Sequence, residues 1–112
     1  MNLRYVRAFD VSEIPAGKMK KIQVEGIDVL IANVNGKFYA VSSECTHFGG
    51  DLSEGVLKGN IIVCPNHKAK FDITTGNVVS PPKEALSRPN IENLSTYLVK
   101  IINQKIMIKI SQ

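Results

Sequence analysis

Residues 27–42 constrain this sequence most: Ile27 to Val34, then Asn35-Gly36, then Lys37 to Ser42. Asn-Gly between two apolar runs supplies the two positive-φ positions of a type I′ turn, whose twist matches that of paired antiparallel strands. Other apolar segments also alternate or run for four to eight residues between turn signals, and few show helical spacing. Leu3 to Phe9 and Lys18 to Val24 read as strands, joined across Asp10 to Gly17, where one short helical turn fits. Leu94 to Ile102 and Lys105 to Ile110 read as a closing hairpin around Asn103-Gln104. The expected class is all-β.

Between these outer segments the chain changes character. Gly49, Gly50, Gly55, Gly59 and Gly76, with Pro65, Pro81 and Pro82, crowd into 34 residues. Within that loop-rich stretch, Ile61 to Cys64, Lys70 to Ile73 and Asn77 to Ser80 suit a small sheet with tight turns. The organisation expected is an antiparallel β base made from residues 1–42 and 85–112, with a small subdomain inserted at residues 43–84. At 112 residues and 12.3 kDa the chain is one module. No apolar run approaches the roughly 20 residues that span a bilayer. Arg4 and Arg7 stand where a signal peptide would put its apolar stretch, so a soluble cytoplasmic protein with no membrane partner is expected. The net charge of +4 comes from basic residues spread along the chain. With seven aromatics and no basic cluster, nucleic acid is not an expected partner.

The rare residues fall together. Cys45-Thr46-His47 is followed, after sixteen residues, by Cys64-Pro65-Asn66-His67, and these hold every Cys and His in the sequence. Two cysteines are too few for a disulfide scaffold, and a reducing compartment disfavours even one bridge. Two thiolates and two imidazoles suit zinc or an iron–sulfur centre, whereas magnesium or calcium prefers oxygen ligands. Residues i and i+2 of an extended segment point the same way, so Cys45 and His47 can address one object from one side while Cys64 and His67 close from the other. Structural zinc is the main competitor, although common zinc fingers pair cysteine with cysteine and histidine with histidine, and here the two alternate.

The Cys-x-His-x16-Cys-x2-His spacing, with Gly49-Gly50 after the first loop, Phe71-Asp72 after the second and Pro81-Pro82 beyond, resembles the Rieske iron–sulfur family. Leu52-Ser-Glu-Gly55 and Phe71-Asp-Ile-Thr-Thr-Gly76 are similar to the small ferredoxins of ring-hydroxylating oxygenase systems. The resemblance implies one [2Fe–2S] cluster per chain, with Cys45 and Cys64 on the inner iron and His47 and His67 on the outer, exposed one. It implies a one-electron carrier with no bond chemistry of its own, running between a reductase and a terminal oxygenase that dock near His47 and His67. Gly49 and Gly50 are the backbone positions expected to approach the cluster, and Pro81-Pro82 a stiff lid over it. A Rieske-like small subunit of a larger reductase complex is the alternative within the family.

High-potential Rieske proteins carry an extra cysteine in each loop, where this sequence has Gly50 and Asn66, and hydroxyl donors where it has Ala69 and Phe71. Neither Ala69 nor Phe71 donates through its side chain. Fewer donors stabilise the reduced cluster less, which predicts a potential toward the low end of a range from about −150 to about +300 mV.

Overall fold

The structure, a computed structural model, describes residues 3–45, 50–65, 68–80 and 92–111. Eleven strands among them form three antiparallel sheets. The first joins the two ends of the chain: β1 (Leu3–Asp10) pairs with β11 (Lys105–Ser111), which also pairs with β10 (Val99–Ile102). The second runs in the order β2 (Met19–Val24), β3 (Ile27–Val34), β4 (Lys37–Ser42), β9 (Thr96–Tyr97). The third consists of β5 (Val56–Lys58), β6 (Ile61–Val63), β7 (Lys70–Asp72) and β8 (Val78–Ser80), hydrogen-bonded in sequence order. Short 3₁₀ turns occupy Val11–Glu13 and Leu52–Glu54. No helix among the described residues is long and apolar enough to cross a membrane.

β3 explains the layering. Side chains of a strand alternate between faces, and here both faces are covered, because Val29 through Asn33 are all buried. Val29 and Ile31 pack with Ile106, Ile108 and Ile110 of β11 in one core, and Leu30 and Ala32 pack with Ile62 and Phe71 of the third sheet in the other. The second sheet is therefore the middle layer. The strict alternation of β11 matches its role, since its three isoleucines are buried while Lys105, Met107 and Lys109 are only half-buried. Each such isoleucine contributes about 1.5–3 kcal/mol relative to an exposed one. Asn33 is a polar member of the interior, and it is satisfied: its Nδ2 donates to the Ile14 carbonyl at 2.8 Å and its Oδ1 accepts from Gly36 N–H at 2.7 Å.

The expected central hairpin is present, with Asn35 and Gly36 at φ +55° and +91° as a type I′ turn requires. Asn103 and Gln104 do the same work between β10 and β11, at φ +50° and +67°. The single strand expected over Leu94 to Ile102 is instead two. Thr96–Tyr97 pairs with β4, whereas Val99–Ile102 pairs with β11. Leu98, 63% exposed, is the crossing point, and its carbonyl already accepts from Lys109 N–H of the first sheet. The sheet edge that the segment serves changes there, which an apolar run does not signal.

The third sheet has a strand, β5, beyond the three expected. β5 lies against β6, with Val56 opposite Val63. Gly55 makes this approach possible, because a Cβ there would collide with the Val63 carbonyl oxygen, a backbone atom that cannot move aside without breaking the ladder. Gly55→Ala is expected to lower stability by about 1–3 kcal/mol, the usual penalty for overpacking, read as a fall in the urea midpoint with an unchanged slope.

Candidate metal centre

Cys45 and Cys64 enter the same core from different elements. They are 1% and 0% exposed, are not joined as a disulfide, and share one buried cluster with Leu30, Val41, Leu52, Ile62, Ala69 and Phe71. Leu30 and Val41 come from the middle sheet, Ile62 and Phe71 from the third. Both thiols thus lie at the seam between these layers, shielded from water.

Each cysteine opens a loop closed in the same way. Cys45 N–H donates to the Gly50 carbonyl at 2.6 Å, and Cys64 N–H donates to the Ala69 carbonyl at 2.8 Å. In both cases the acceptor lies five residues on, so each segment is pinched at its base by one backbone bond. At Cys64 this bond lies in the register of the β6–β7 ladder, one residue beyond the Val63–Lys70 pair, so the second pinch is the last rung of that ladder. His47, Gly49 and the neighbouring Phe48 lie outside the described residues, as do His67, Pro81, Pro82 and Lys83. Among the described residues no third Cys, His, Asp or Glu joins the two cysteines as a metal group. Gly50 is buried, and its carbonyl accepts the Cys45 N–H.

The donor chemistry fits an iron–sulfur cofactor: two buried thiols, one from each pinched loop, offer sulfur donors of the kind such a group takes, in a dry seam. Ala69 and Phe71, both fully buried beside them, bring no polar side-chain atom. With this geometry in view, the comparisons decide the family. Residues 4–98 match the model of the Rieske [2Fe-2S] domain. The chain belongs to the Rieske [2Fe–2S] family. It is 37% identical over 111 residues to the ferredoxin component of the naphthalene 1,2-dioxygenase system of Pseudomonas aeruginosa, covering 99% of this chain and 100% of that one. Its fold superposes on the Sphingomonas yanoikuyae B1 ferredoxin with a TM-score of 0.82 at 27% identity, covering 96% and 100% of the two chains. It also superposes on a chain from the complex of reduced oxygenase and oxidized ferredoxin in carbazole 1,9a-dioxygenase, with a TM-score of 0.81 at 26% identity, covering 93% and 91%. The all-β expectation stands, and the Rieske cofactor is a [2Fe–2S] cluster. A Rieske ferredoxin is an electron carrier and not itself a catalyst.

Two aspartates buttress this subdomain. Asp51 follows Gly50, and Asp72 ends β7; each accepts both the N–H and the hydroxyl of the residue two positions on, Ser53 and Thr74. Burial pushes Asp51 up, but Lys21 and the Ser53 and Ser43 donors outweigh it and hold the carboxyl well below the usual range. The Thr74 hydroxyl, more than offsetting burial, holds Asp72 below its ordinary value. The sequence signal for both is Asp followed two residues later by a hydroxyl residue, a turn former.

An open groove of about 580 Å³ lies on the outer face of the third sheet, with Val56, Ile61, Val63 and Val79 as its floor and Lys58, Lys68 and Lys70 on its rim. Val63 and Lys68 flank the Cys64 loop, and Val56 and Val79 are 52% and 53% exposed. Among the described lining residues there is no carboxylate.

The depressed Asp72 value fixes the sign of a pH dependence. A carboxyl whose folded pKa is lowered contributes stability that is fully present above the unfolded value of about 3.9 and is lost as pH falls through the folded one. The urea-midpoint advantage of the wild type over Asp72→Asn is therefore expected to be constant from pH 7 to about 5 and to shrink below about 4.

Proposed function

We propose that this chain is the ferredoxin component of a multicomponent oxygenase system, receiving one electron at a time from a reductase and delivering it to a terminal oxygenase. Cys45 and Cys64 hold the inner iron, and His47 and His67 the outer one. The observation that carries this assignment is the pair of buried thiols, each opening a loop pinched by an N–H to carbonyl bond five residues on. The bound cluster supplies a reversible one-electron store.

The surrounding residues serve that role by what they exclude and what they present. Leu30, Val41, Leu52 and Phe71 keep water from the sulfur side. The histidine side of each loop lies beyond the pinch, two and three residues past its cysteine, in line with an outer iron that faces a docked partner. Gly49 and Pro81-Pro82 fit the family roles of close backbone approach and lid. The coverage of the Pseudomonas ferredoxin component from end to end favours a separate carrier over a subunit fixed in a larger reductase. The ferredoxin of the solved carbazole 1,9a-dioxygenase complex is bound to its oxygenase, which supports an oxygenase as the acceptor here.

The absence of hydroxyl donors at Ala69 and Phe71 supports a low potential. Anaerobically purified protein is expected to be coloured, to bleach partly and become EPR-active with dithionite, to contain two irons and two acid-labile sulfides, and to titrate below 0 mV, in the lower part of the range from about −150 to about +300 mV. Colourless protein containing zinc would overturn the proposal, and a midpoint well above zero would overturn the low-potential assignment.

Lys58, Lys68 and Lys70 set a positive field around an aliphatic floor beside the Cys64 loop. Such a field steers an acidic-rimmed oxygenase surface toward the histidine end of the molecule. With ferricyanide as a small anionic oxidant, reduced wild-type protein is expected to react more slowly as salt rises. Lys68→Glu/Lys70→Glu is expected to lower the low-salt rate roughly tenfold and to flatten the salt dependence.

A further inference from the structure

The two ligand loops stand on unequal foundations. The Cys64 loop rises from β6 and β7, whose ladder pairs Ile61 with Asp72, Ile62 with Phe71 and Val63 with Lys70 inside a four-stranded sheet. The Cys45 loop rises from segments 43–45 and 50–52, which belong to no named strand. Between them lies one isolated bridge, Glu44 to Asp51, made by two backbone bonds, Leu52 N–H to the Ser43 carbonyl at 2.8 Å and the Cys45 pinch itself. A two-strand stem this short has little intrinsic stability.

Asp51 supplies what the ladder lacks. Its Oδ1 accepts from the Ser43 hydroxyl at 3.1 Å, the Ser53 N–H at 3.0 Å and the Ser53 hydroxyl at 2.7 Å, while its Oδ2 accepts from Lys21 Nζ at 2.7 Å. One carboxylate therefore ties the incoming stem, the outgoing 3₁₀ turn and β2 of the middle sheet. An exposed ion pair contributes little by itself, and Lys21 and Asp51 are 38% and 37% exposed. The pair matters because both oxygens are used at once: an amide could offer only one acceptor, and its NH2 would face the ammonium.

We propose that Asp51, through Lys21, is the positioning residue for the Cys45 arm of the cluster site, substituting for a strand ladder in holding that arm against the Cys64 arm. This rests on the assignment of Cys45 as a cluster ligand. The latch makes the first arm the one whose release lets the cluster go, whereas the second arm is held by its sheet.

The test uses holoprotein in four forms: wild type, Asp51→Asn, Lys21→Met and the double variant, with Asp72→Asn as a control that breaks a similar turn at the end of β7 away from the ligand loops. Three quantities are measured on each: the half-time of bleaching of the visible band in excess iron chelator, deuterium uptake of the peptide spanning residues 43–53, and the urea midpoint. Each single variant is expected to bleach and to exchange roughly three- to tenfold faster than wild type, with the double variant no faster than Asp51→Asn, as coupled partners require. Asp72→Asn is expected to lose stability while bleaching at the wild-type rate. A through-space charge effect predicts opposite consequences for removing Asp51 and Lys21, so acceleration by both identifies the latch. Should Asp51→Asn fail to fold, the exposed Lys21→Met variant carries the same comparison. Wild-type bleaching and exchange in the coloured variants would overturn the latch alone, as would bleaching that simply follows the urea midpoint in every variant, Asp72→Asn included. A colourless wild type would overturn the ligand assignment and the latch with it.

Discussion

Everything in this molecule is arranged around a strand buried on both faces. β3 sends Val29 and Ile31 into one core and Leu30 and Ala32 into the other, so a single run of backbone carries two hydrophobic interfaces at once. The sheet made by the chain's two ends closes the first interface, and the small third sheet closes the second. The period of two in a strand allows this without a helix or a second domain. The third sheet is consequently held by burial against a rigid layer, and the two thiols lie in that contact.

Placing sulfur ligands in a hydrophobic seam has an electrostatic consequence. Thiolates taken out of water are costly unless a cation compensates them, so a site lined by Leu30, Val41, Leu52 and Phe71 favours cysteines bound to a metal centre over bare thiolates. The apolar side chains of this lining bring no hydrogen-bond donor. Charge is kept outside: Lys58, Lys68 and Lys70 border the outer groove, and Asp51 and Asp72 are engaged in turns. Burial thus keeps the sulfur donors dry while the lysines and the turn-forming aspartates stay at the surface.

The two arms of the site differ in what holds them. The Cys64 arm continues a β-ladder and inherits its cooperativity. The Cys45 arm is a pinched loop on a bridge and depends on side-chain acceptors, chiefly one carboxylate that reaches three segments. Hydrogen bonds to a charged acceptor are stronger than neutral ones, which is why a single aspartate can stand in for several backbone pairs.

Much of this was legible in the residues themselves. Asn35-Gly36 dictates its turn because few other dipeptides tolerate two positive φ angles, and the alternation of β11 dictates which of its faces is buried. The spacing of Cys45, His47, Cys64 and His67 points to a soft-metal donor set, zinc or iron–sulfur, because sulfur and imidazole donors are gathered in two short segments. What the chain does at Leu98, where it leaves one sheet for another, was not legible, since both strands there are apolar and only the position of their partners separates them. β5 was missed because three residues carry no period, and Gly55 is interpretable only once the Val63 carbonyl is known to face it. The partnership of β1 with β11 and of Asp51 with Lys21 joins residues far apart in sequence, and such pairs are selected by which surfaces the packed layers bring together. Local propensity and donor identity are properties of single residues and short spacings, so the sequence alone determines most of the elements and the soft donor set, and the family resemblance adds the cofactor; tertiary structure decides the pairings, because they depend on which surfaces and charges come to lie within reach after folding.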